Sequence, residues 1–247
     1  LLTGEGPMAA RMIHDAGLYD LSEGAEYQVL LCRFPPEAGP AGDVWGEAEQ
    51  SGAMQRLKEA GVRQVIVTGP WDGLGVVIAA DPPRDLTEPL LKALPAGSSV
   101  AGGLVGSGLS GLRRSYQTAM QSLIAGLRLV GPGALSAYKL RLPRLLASIP
   151  AAAAAEFAAA VLGELPPAHT PAGAQLRETL QVFAAVGMTS VQAAERLGIH
   201  RHTLAQRLAR IATLTGLGPR RGEGLLSLCL AVQVERLHRQ DGHEFQE

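Results

Sequence analysis

Residues 189–216, TSVQAAERLGIHRHTLAQRLARIATLTG, decide the fold of the C-terminal part of this chain. Thr189 and Ser190 are hydroxyl residues able to cap a helix, and Gly198 is of the type that ends one. A second helix follows, and its apolar residues recur at spacings of four, three and three: Leu204, Leu208, Ile211 and Leu214. At 100° per residue they form one stripe. The stretch therefore predicts a short helix, a tight glycine turn and a second amphipathic helix, which is the arrangement of a helix-turn-helix.

The predicted second helix, about residues 200–214, has a polar face that carries no acidic residue. This face and its flanks hold His202, Thr203, Gln206, Arg210 and Thr213, with Arg201 and Arg207 beside the apolar stripe. Arginines recur from Arg196 to Gly222 without any acid among them. Such a local positive charge suits a polyanion, and the charge alone is equally consistent with a solvated helix face.

Composition limits the class of protein. The 247 residues are 47% hydrophobic and 18% charged, which excludes a disordered tail and allows one large or two modest domains. The longest apolar stretches are shorter than the ~18 residues of a membrane span, so we expect no membrane contact and a cytoplasmic protein. Cys32 and Cys229 lie in separate apolar runs, which predicts two buried thiols. The chain starts at Leu1, and we expect that upstream domains are missing.

The formal net charge of −1 conceals blocks of opposite sign. Residues 1–88 are rich in acids, whereas residues 89–155 contain lysines and arginines and no acid. One hypothesis is therefore an interaction module in which the basic block docks the acidic one.

The first half alternates short β-rich runs with helical patterns. We predict strands at residues 27–34, 63–68, 75–80, 98–105 and 134–138, and helices at residues 47–60, 85–94 and 110–129. Residues 69–73 form the turn of a hairpin. The order βαββαβ predicts an α+β domain with helices on one face of a mainly antiparallel sheet.

One motif in this half resembles a phosphate-binding loop. Gly106, Gly108 and Gly111 have the spacing G-x-G-x-x-G between a predicted strand and a predicted helix. A dinucleotide site also needs an acid about 20 residues further on, and no Asp or Glu lies between Glu88 and Glu156. A tight turn with Ser110 as helix N-cap explains the motif better.

Other catalytic or metal-binding groupings are weak. Asp72, Asp81 and Asp85 are interpreted as turn and cap residues, and His14 with Asp15 as surface helix. His200 and His202 are two residues apart, which predicts side chains on different sides of a helix and no shared metal. We therefore expect no cofactor, no metal and no enzymatic activity.

Beyond Pro150 the chain is expected to be helical. An alanine-rich helix at residues 151–162 is ended by Pro166, Pro167 and Pro171, and a further helix is predicted at residues 175–186. The predicted division is an N-terminal linker or helix at 1–24, an α+β domain at 25–146, and an all-helical domain at 147–247 that contains the helix-turn-helix at 189–215.

Residues 193–204, AAERLGIHRHTL, with RLARI at 207–211 and LTGL at 214–217, resemble the C-terminal helix-turn-helix of PucR-type bacterial transcriptional regulators. This group includes the sugar-diacid regulators of the CdaR type, and the DNA-binding helices of the nucleoid protein Fis are more distantly similar. The resemblance spans about residues 175–237, with 225–237 as the closing helix.

Residues 106–146 resemble the degenerate GGDEF-like domain that precedes this helix-turn-helix in the same family. The hairpin here reads Gly69-Pro-Trp-Asp-Gly73, so the glycine-glycine-acid-acid-phenylalanine signature of a nucleotide cyclase is absent. The resemblance thus implies a degenerate domain without cyclase activity.

Geometry and resemblance together assign roles within the helix-turn-helix. Arg201, His202 and Gln206 are candidates for contacts to base edges. The candidates for phosphate contacts are Thr189, Ser190, Gln192, Thr203, Arg207 and Arg210. His200 belongs to the candidate DNA-binding set and competes with a role as N-cap. The motif core is assigned to Leu197, Ile199, Leu204, Leu208 and Ile211. His202 stands where the family often has asparagine, so the base sequence that is read does not follow from relatives.

These observations predict a DNA-binding transcriptional regulator. Its partner is double-stranded DNA, and it is expected to act as a homodimer or higher homo-oligomer, because one short helix reads too few bases. An unknown small-molecule effector is expected to act through the GGDEF-like or an upstream domain. The alternative is a nucleotide-binding signalling sensor or degenerate nucleotide cyclase built on the first half.

Overall fold

The computed structural model describes residues 21, 23–35, 45–71, 73–83 and 85–238. The chain divides into two compact units, Leu1–Ser148, here called the sheet unit, and Ile149–Glu247, here called the helical unit. The sheet unit mixes strands and helices and the helical unit is all-helical, so the predicted fold class is confirmed. The predicted N-terminal segment 1–24 lies almost entirely outside the described residues.

The sheet unit alternates strands and helices along the chain. In order these are β1 (Glu26–Arg33), α1 (Glu47–Glu59), β2 (Gln64–Trp71), β3 (Leu74–Ala80), α2 (Thr87–Leu91), β4 (Ser99–Gly102), β5 (Gly106–Ser107), α3 (Gly108–Leu129), β6 (Ala134–Ser136) and α4 (Arg141–Ala147). The short elements β5 and α4 were not predicted from the pattern, because two to seven residues carry too little periodicity.

The sheet is mainly antiparallel, as predicted. Its strands lie in the order β2, β3, β1, β4, β6, and β5 pairs with β1. Val29 of β1 faces Ile78 of β3, and Leu31 faces Ala101 of β4. The pair β4 and β6 is parallel, whereas the other pairs of the sheet are antiparallel.

Helices cover both faces of this sheet, so the expectation of helices on one face was wrong. Val29 and Leu31 belong to the cluster that contains Leu112 and Leu123 of α3. Leu30 and Cys32 belong to the opposite cluster, which contains residues of α1 and α2. The physical reason is that β1 is apolar on both faces, and a strand of this kind needs cover on both.

The predicted strand at residues 98–105 is interrupted after Gly102, and pairing with β1 resumes at Gly106 in β5, because α3 packs against the chain between them. Val29 donates its backbone N–H to Ser115 Oγ at 2.8 Å. Leu104 donates its backbone N–H to Thr118 Oγ1, also at 2.8 Å. Side-chain hydroxyls of a helix thus replace ladder partners at the break between β4 and β5, which keeps these backbone N–H groups hydrogen-bonded.

The helical unit consists of five consecutive helices in its described part. They are α5 (Ala151–Leu162), α6 (Pro171–Ala185), α7 (Ser190–Arg196), α8 (Arg201–Thr215) and α9 (Gly222–His238). Helix α6 starts at Pro171, four residues before the prediction, and Thr170 Oγ1 accepts a hydrogen bond from Gly173 N–H at 3.1 Å. Pro171 had been interpreted as a breaker, but proline is favourable in the first turn of a helix.

Among the described residues, no single helix is long and apolar enough to cross a membrane. Two consecutive helices, Arg141–Ala147 and Ala151–Leu162, reach the required length and composition only when they are taken together.

Candidate nucleic-acid interface

Helices α7 and α8 are joined by a turn that follows from one glycine. Gly198 has a φ of +63°, a left-handed conformation that glycine adopts without a steric penalty. Its N–H donates to the Glu195 carbonyl, and the Ile199 N–H donates to the Ala194 carbonyl, both at 3.0 Å. These two bonds are those of a Schellman ending. The predicted stop at Gly198 is confirmed.

The apolar stripe of α8 forms the core of the motif. Leu204, Leu208 and Ile211 are buried, as predicted. Leu197 and Ile199, which were also assigned to the core, are partly buried and pack against it. The two alanines of α7, Ala193 and Ala194, are buried in the same cluster, which allows a close approach of the helices.

The opposite side of α8 is open to solvent within the helical unit. Arg201, His202, Gln206 and Arg210 are exposed, and Thr203 is half-buried. Within the described part of the chain, the side chains of Arg201 and Arg210 make no hydrogen bond or ion pair. The face therefore presents the positive charges of Arg201 and Arg210 and the amide of Gln206 to solvent, and no described acid pairs with the two arginines.

His200 caps α8, so the competing role assigned to it is confirmed. Its Nδ1 accepts a hydrogen bond from the His202 N–H at 3.3 Å. The two imidazole rings stack with their centroids 5.0 Å apart. The expectation that these side chains point to different sides was wrong, because His200 has extended backbone and lies before the helix. No group of three metal-binding side chains occurs among the residues the structure describes.

Arg207 is directed toward α6 and not along the exposed face. Its Nη1 lies 3.4 Å from Thr179 Oγ1, and its Nη2 lies 3.4 Å from Gln175 Oε1. Both bonds are long, so they orient the guanidinium more than they hold it. Arg207, one of the residues predicted to contact phosphate, therefore also connects α8 to α6 within the helical unit.

The N-terminal end of α7 brings together three of the predicted phosphate contacts. Thr189 and Gln192 are exposed and Ser190 is half-buried. Thr189 is the N-cap residue, but its side chain makes no capping bond, which corrects the expectation that a hydroxyl caps this helix. Ser190 Oγ instead accepts a hydrogen bond from Arg220 Nη1 at 3.4 Å. Arg220 was part of the arginine cluster in the sequence, but it carried no assigned role.

A buried ion pair fixes the helix on which Arg207 rests. Arg177 of α6 and Glu235 of α9 form a bidentate pair, with 2.5 Å from Nε to Oε2 and 2.8 Å from Nη2 to Oε1. Arg177 Nη1 also donates to the Pro166 carbonyl at 2.6 Å. The pair lies at a pocket of about 480 Å³ whose lining includes four alanines of α5.

The glycine motif of the sheet unit has a packing explanation. A Cβ on Gly106 would lie within 2.7 Å of the Gly111 Cα, and a Cβ on Gly111 would overlap the Gly106 backbone. Strand β5 and the start of α3 therefore touch through these two glycines. The expected cap at Ser110 was wrong: α3 begins at Gly108 after Ser107, because the strand passes directly into the helix.

The remaining polar candidates of the sheet unit serve turns. Asp81 Oδ1 accepts from the Glu26 N–H at 3.0 Å. Asp85 Oδ1 accepts from the Thr87 N–H at 3.3 Å, so the interpretation as a turn residue is confirmed for Asp85, whereas Asp81 bonds a strand 55 residues away and neither residue caps α2. Asp72, His14 and Asp15 lie outside the described residues.

Both cysteines are free thiols. Cys32 is buried and Cys229 is partly buried, so the prediction of two buried thiols is confirmed for the first and holds in part for the second. Burial raises the pKa of each thiol above its ordinary value.

Comparison with family models decides the relationship. The PucR C-terminal helix-turn-helix domain matches residues 176–234, and the GGDEF-like domain matches residues 3–124. The two matches are separate, follow each other in the order of the predicted domains, and together account for most of the chain. The chain is a PucR/CdaR-type transcriptional regulator. DNA binding and regulation of transcription follow from this membership.

The PucR match contains every residue of the candidate interface, from Thr189 to Arg210, and also Arg220. No curated protein matches this PucR/CdaR-type regulator. Among solved structures, it is similar to the crystal structure of a regulator of polyketide synthase expression from Bifidobacterium adolescentis. The identity is 18%, the TM-score is 0.43, and the match covers 93% of this chain and 92% of the other.

Proposed function

We propose that this PucR/CdaR-type regulator reads its operator with α8 in the major groove. Arg201 and His202, at the start of the helix, and Gln206, one turn later, contact base edges. Arginine pairs with guanine and glutamine with adenine through two hydrogen bonds each, so these side chains discriminate between bases. The N-terminal residues of a recognition helix make such contacts in helix-turn-helix proteins.

The observation that carries the proposal is the exposed, acid-free face of α8. The buried stripe of Leu204, Leu208 and Ile211 holds the helix in the unit from one side only. Arg201 and Arg210 project from the other side without a described partner. These arginines can bind phosphate or guanine without breaking an ion pair, because they form none with the described residues.

Phosphate contacts come from the supporting elements. Thr189, Ser190 and Gln192 on α7, with Thr203 and Arg210 on α8, position the helices on the backbone and carry no sequence information. Arg207 is expected to contribute to binding through its charge and to the motif through its contacts with α6.

The regulator is proposed to act as a homodimer or higher homo-oligomer in the cytoplasm. One recognition helix covers too few base pairs for a specific site, and a dimer places two such helices on half-sites about one helical turn apart. We further propose that a small-molecule effector acts through the GGDEF-like domain. This domain is proposed to lack cyclase activity, because residues 69–73 do not contain the signature of that activity.

Fluorescence anisotropy of the full chain with labelled duplexes from its own promoter region tests the proposal. Binding is expected to weaken as salt rises, because lysine and arginine contacts release counterions. Arg201→Ala is expected to lose roughly 5- to 150-fold of the discrimination between the operator and a duplex with one base pair changed. Arg114→Ala removes an exposed arginine of the sheet unit and is the matched control.

The proposal would be refuted by a folded wild-type chain that raises the anisotropy of no duplex from this region at low salt. An Arg201→Ala variant that binds every duplex as the wild type does would refute the base-contact role and leave DNA binding intact.

A further inference from the structure

Arg220 lies in the loop between α8 and α9, outside the two helices of the motif. Its side chain is exposed, yet two contacts orient it. The Nη1 atom donates to Ser190 Oγ at 3.4 Å. The guanidinium carbon lies 6.0 Å from the centroid of the Phe183 ring. The loop therefore places the Arg220 side chain beside the N-terminal end of α7.

Phe183 gives the Arg220 side chain a preferred position. The ring is only 1% exposed and belongs to the core cluster of the helical unit. A guanidinium at this distance from an aromatic face is attracted to it, and the aromatic side chain cannot move without disturbing the core. These two contacts orient an otherwise flexible arginine before any ligand arrives, and preorganisation of this kind lowers the entropic cost of binding.

The contacts leave most of the hydrogen-bonding capacity of Arg220 unused. A guanidinium carries five N–H donors, and only one of them has a described acceptor, at a long distance. Within the described residues, no carboxylate forms an ion pair with Arg220, and Glu223, the nearest acid along the chain, is exposed. The charge is therefore available to an external anion.

The place of Arg220 identifies the anion. Ser190 is one of the residues proposed to contact the DNA backbone, since the first helix of a helix-turn-helix crosses the backbone while the second enters the groove. A planar guanidinium fork matches two oxygens of one phosphate. We propose that Arg220 is a phosphate clamp, which binds a backbone phosphate beside the N-terminal end of α7 and extends the interface beyond the two helices. This inference rests on the proposed function.

The clamp is tested by salt titrations of the full chain with operator duplex and with a scrambled duplex of equal length. Arg220→Ala is expected to weaken both duplexes alike, roughly tenfold at low salt, as for the loss of one charge-assisted bond. The slope of log K against log salt concentration is expected to fall by about 0.9, the contribution of one phosphate. Arg220→Lys keeps the charge but not the fork, so we expect the wild-type slope with an intermediate affinity. Arg114→Ala is expected to change neither quantity.

The outcomes separate the clamp from a structural role and from the proposed function. If the wild type binds and Arg220→Ala keeps the wild-type affinity and slope, the clamp is overturned while DNA binding stands. If Arg220→Ala lowers the unfolding midpoint and the affinity but leaves the slope unchanged, Arg220 is only structural and the clamp is also overturned. If the folded wild type binds no duplex, the proposed function fails, and the clamp fails with it.

Discussion

Replacing Glu235 with leucine is expected to destabilise the helical unit selectively. Arg177 and Glu235 connect α6 to α9 through two hydrogen bonds, and the arginine side chain is only 8% exposed. Glu235→Leu removes both acceptors and leaves a buried cation with the carbonyls of Pro166 and Gly173 as its acceptors.

The magnitude follows from the burial of the pair. Removing one partner of a buried ion pair costs about 3–5 kcal/mol, because the other charge is left uncompensated. The Glu235 side chain is 25% exposed, so water reaches the site and the lower end of the range, about 3 kcal/mol, is expected. In a unit of this size such a loss lowers the unfolding midpoint by roughly 12–24 °C.

The distribution of aromatic residues makes the assay specific. Both tryptophans, Trp45 and Trp71, belong to the sheet unit, so tryptophan fluorescence follows that unit alone. Far-UV circular dichroism follows the helices of both units. Glu235→Leu is expected to shift a transition seen by circular dichroism and to leave the fluorescence transition in place.

Two further variants complete the test. The double variant Arg177→Met with Glu235→Leu removes both charges and is expected to recover most of the lost stability, because an apolar pair of similar volume replaces the ion pair. Glu178→Leu changes an exposed acid on the same helix as Arg177 and is expected to stay within about 0.5 kcal/mol of the wild type. A wild-type midpoint for Glu235→Leu, or a double variant as unstable as the single one, would refute the reasoning.

Two glycine substitutions are expected to destabilise for different reasons. Gly111→Ala places a Cβ against the Gly106 backbone and should cost about 1–3 kcal/mol in the fluorescence transition. Gly52→Ala in α1 meets no neighbour and should stabilise the unit by up to about 1 kcal/mol, because alanine is the better helix former. Equal effects of the two variants would show that the contact is unimportant. Gly198→Ala also meets no neighbour, but its φ of +63° should cost about 1–2 kcal/mol in the circular dichroism transition. An unchanged midpoint would mean that the turn adopts another conformation.

Much of the candidate interface could be predicted because its signals are local. Leu204, Leu208 and Ile211 repeat at helical spacing, and a repeat of this kind determines which side of α8 is buried whatever the helix packs against. Gly198 ends α7 through its own backbone freedom. Both features depend on residues a few positions apart, so no long-range information was needed.

The errors arose where the deciding contact is distant along the chain. The strand predicted at 98–105 is interrupted after Gly102, because Ser115 and Thr118 of α3 accept the hydrogen bonds of Val29 and Leu104 in place of a strand partner. The second layer of helices was missed because the pattern of β1 shows that both faces are apolar but not which elements cover them.

The order of the main elements, the helix-turn-helix and the charge of its exposed face follow from the amino-acid sequence alone. Neighbouring side chains and backbone torsions suffice for these features, because they depend on short-range patterns. Which distant residues meet is decided only by the tertiary structure. Arg207 contacts α6, Arg177 pairs with Glu235, and Arg220 donates to Ser190. Each of these contacts joins residues separated by 28 to 58 positions, and only packing into a shared core brings such residues within reach.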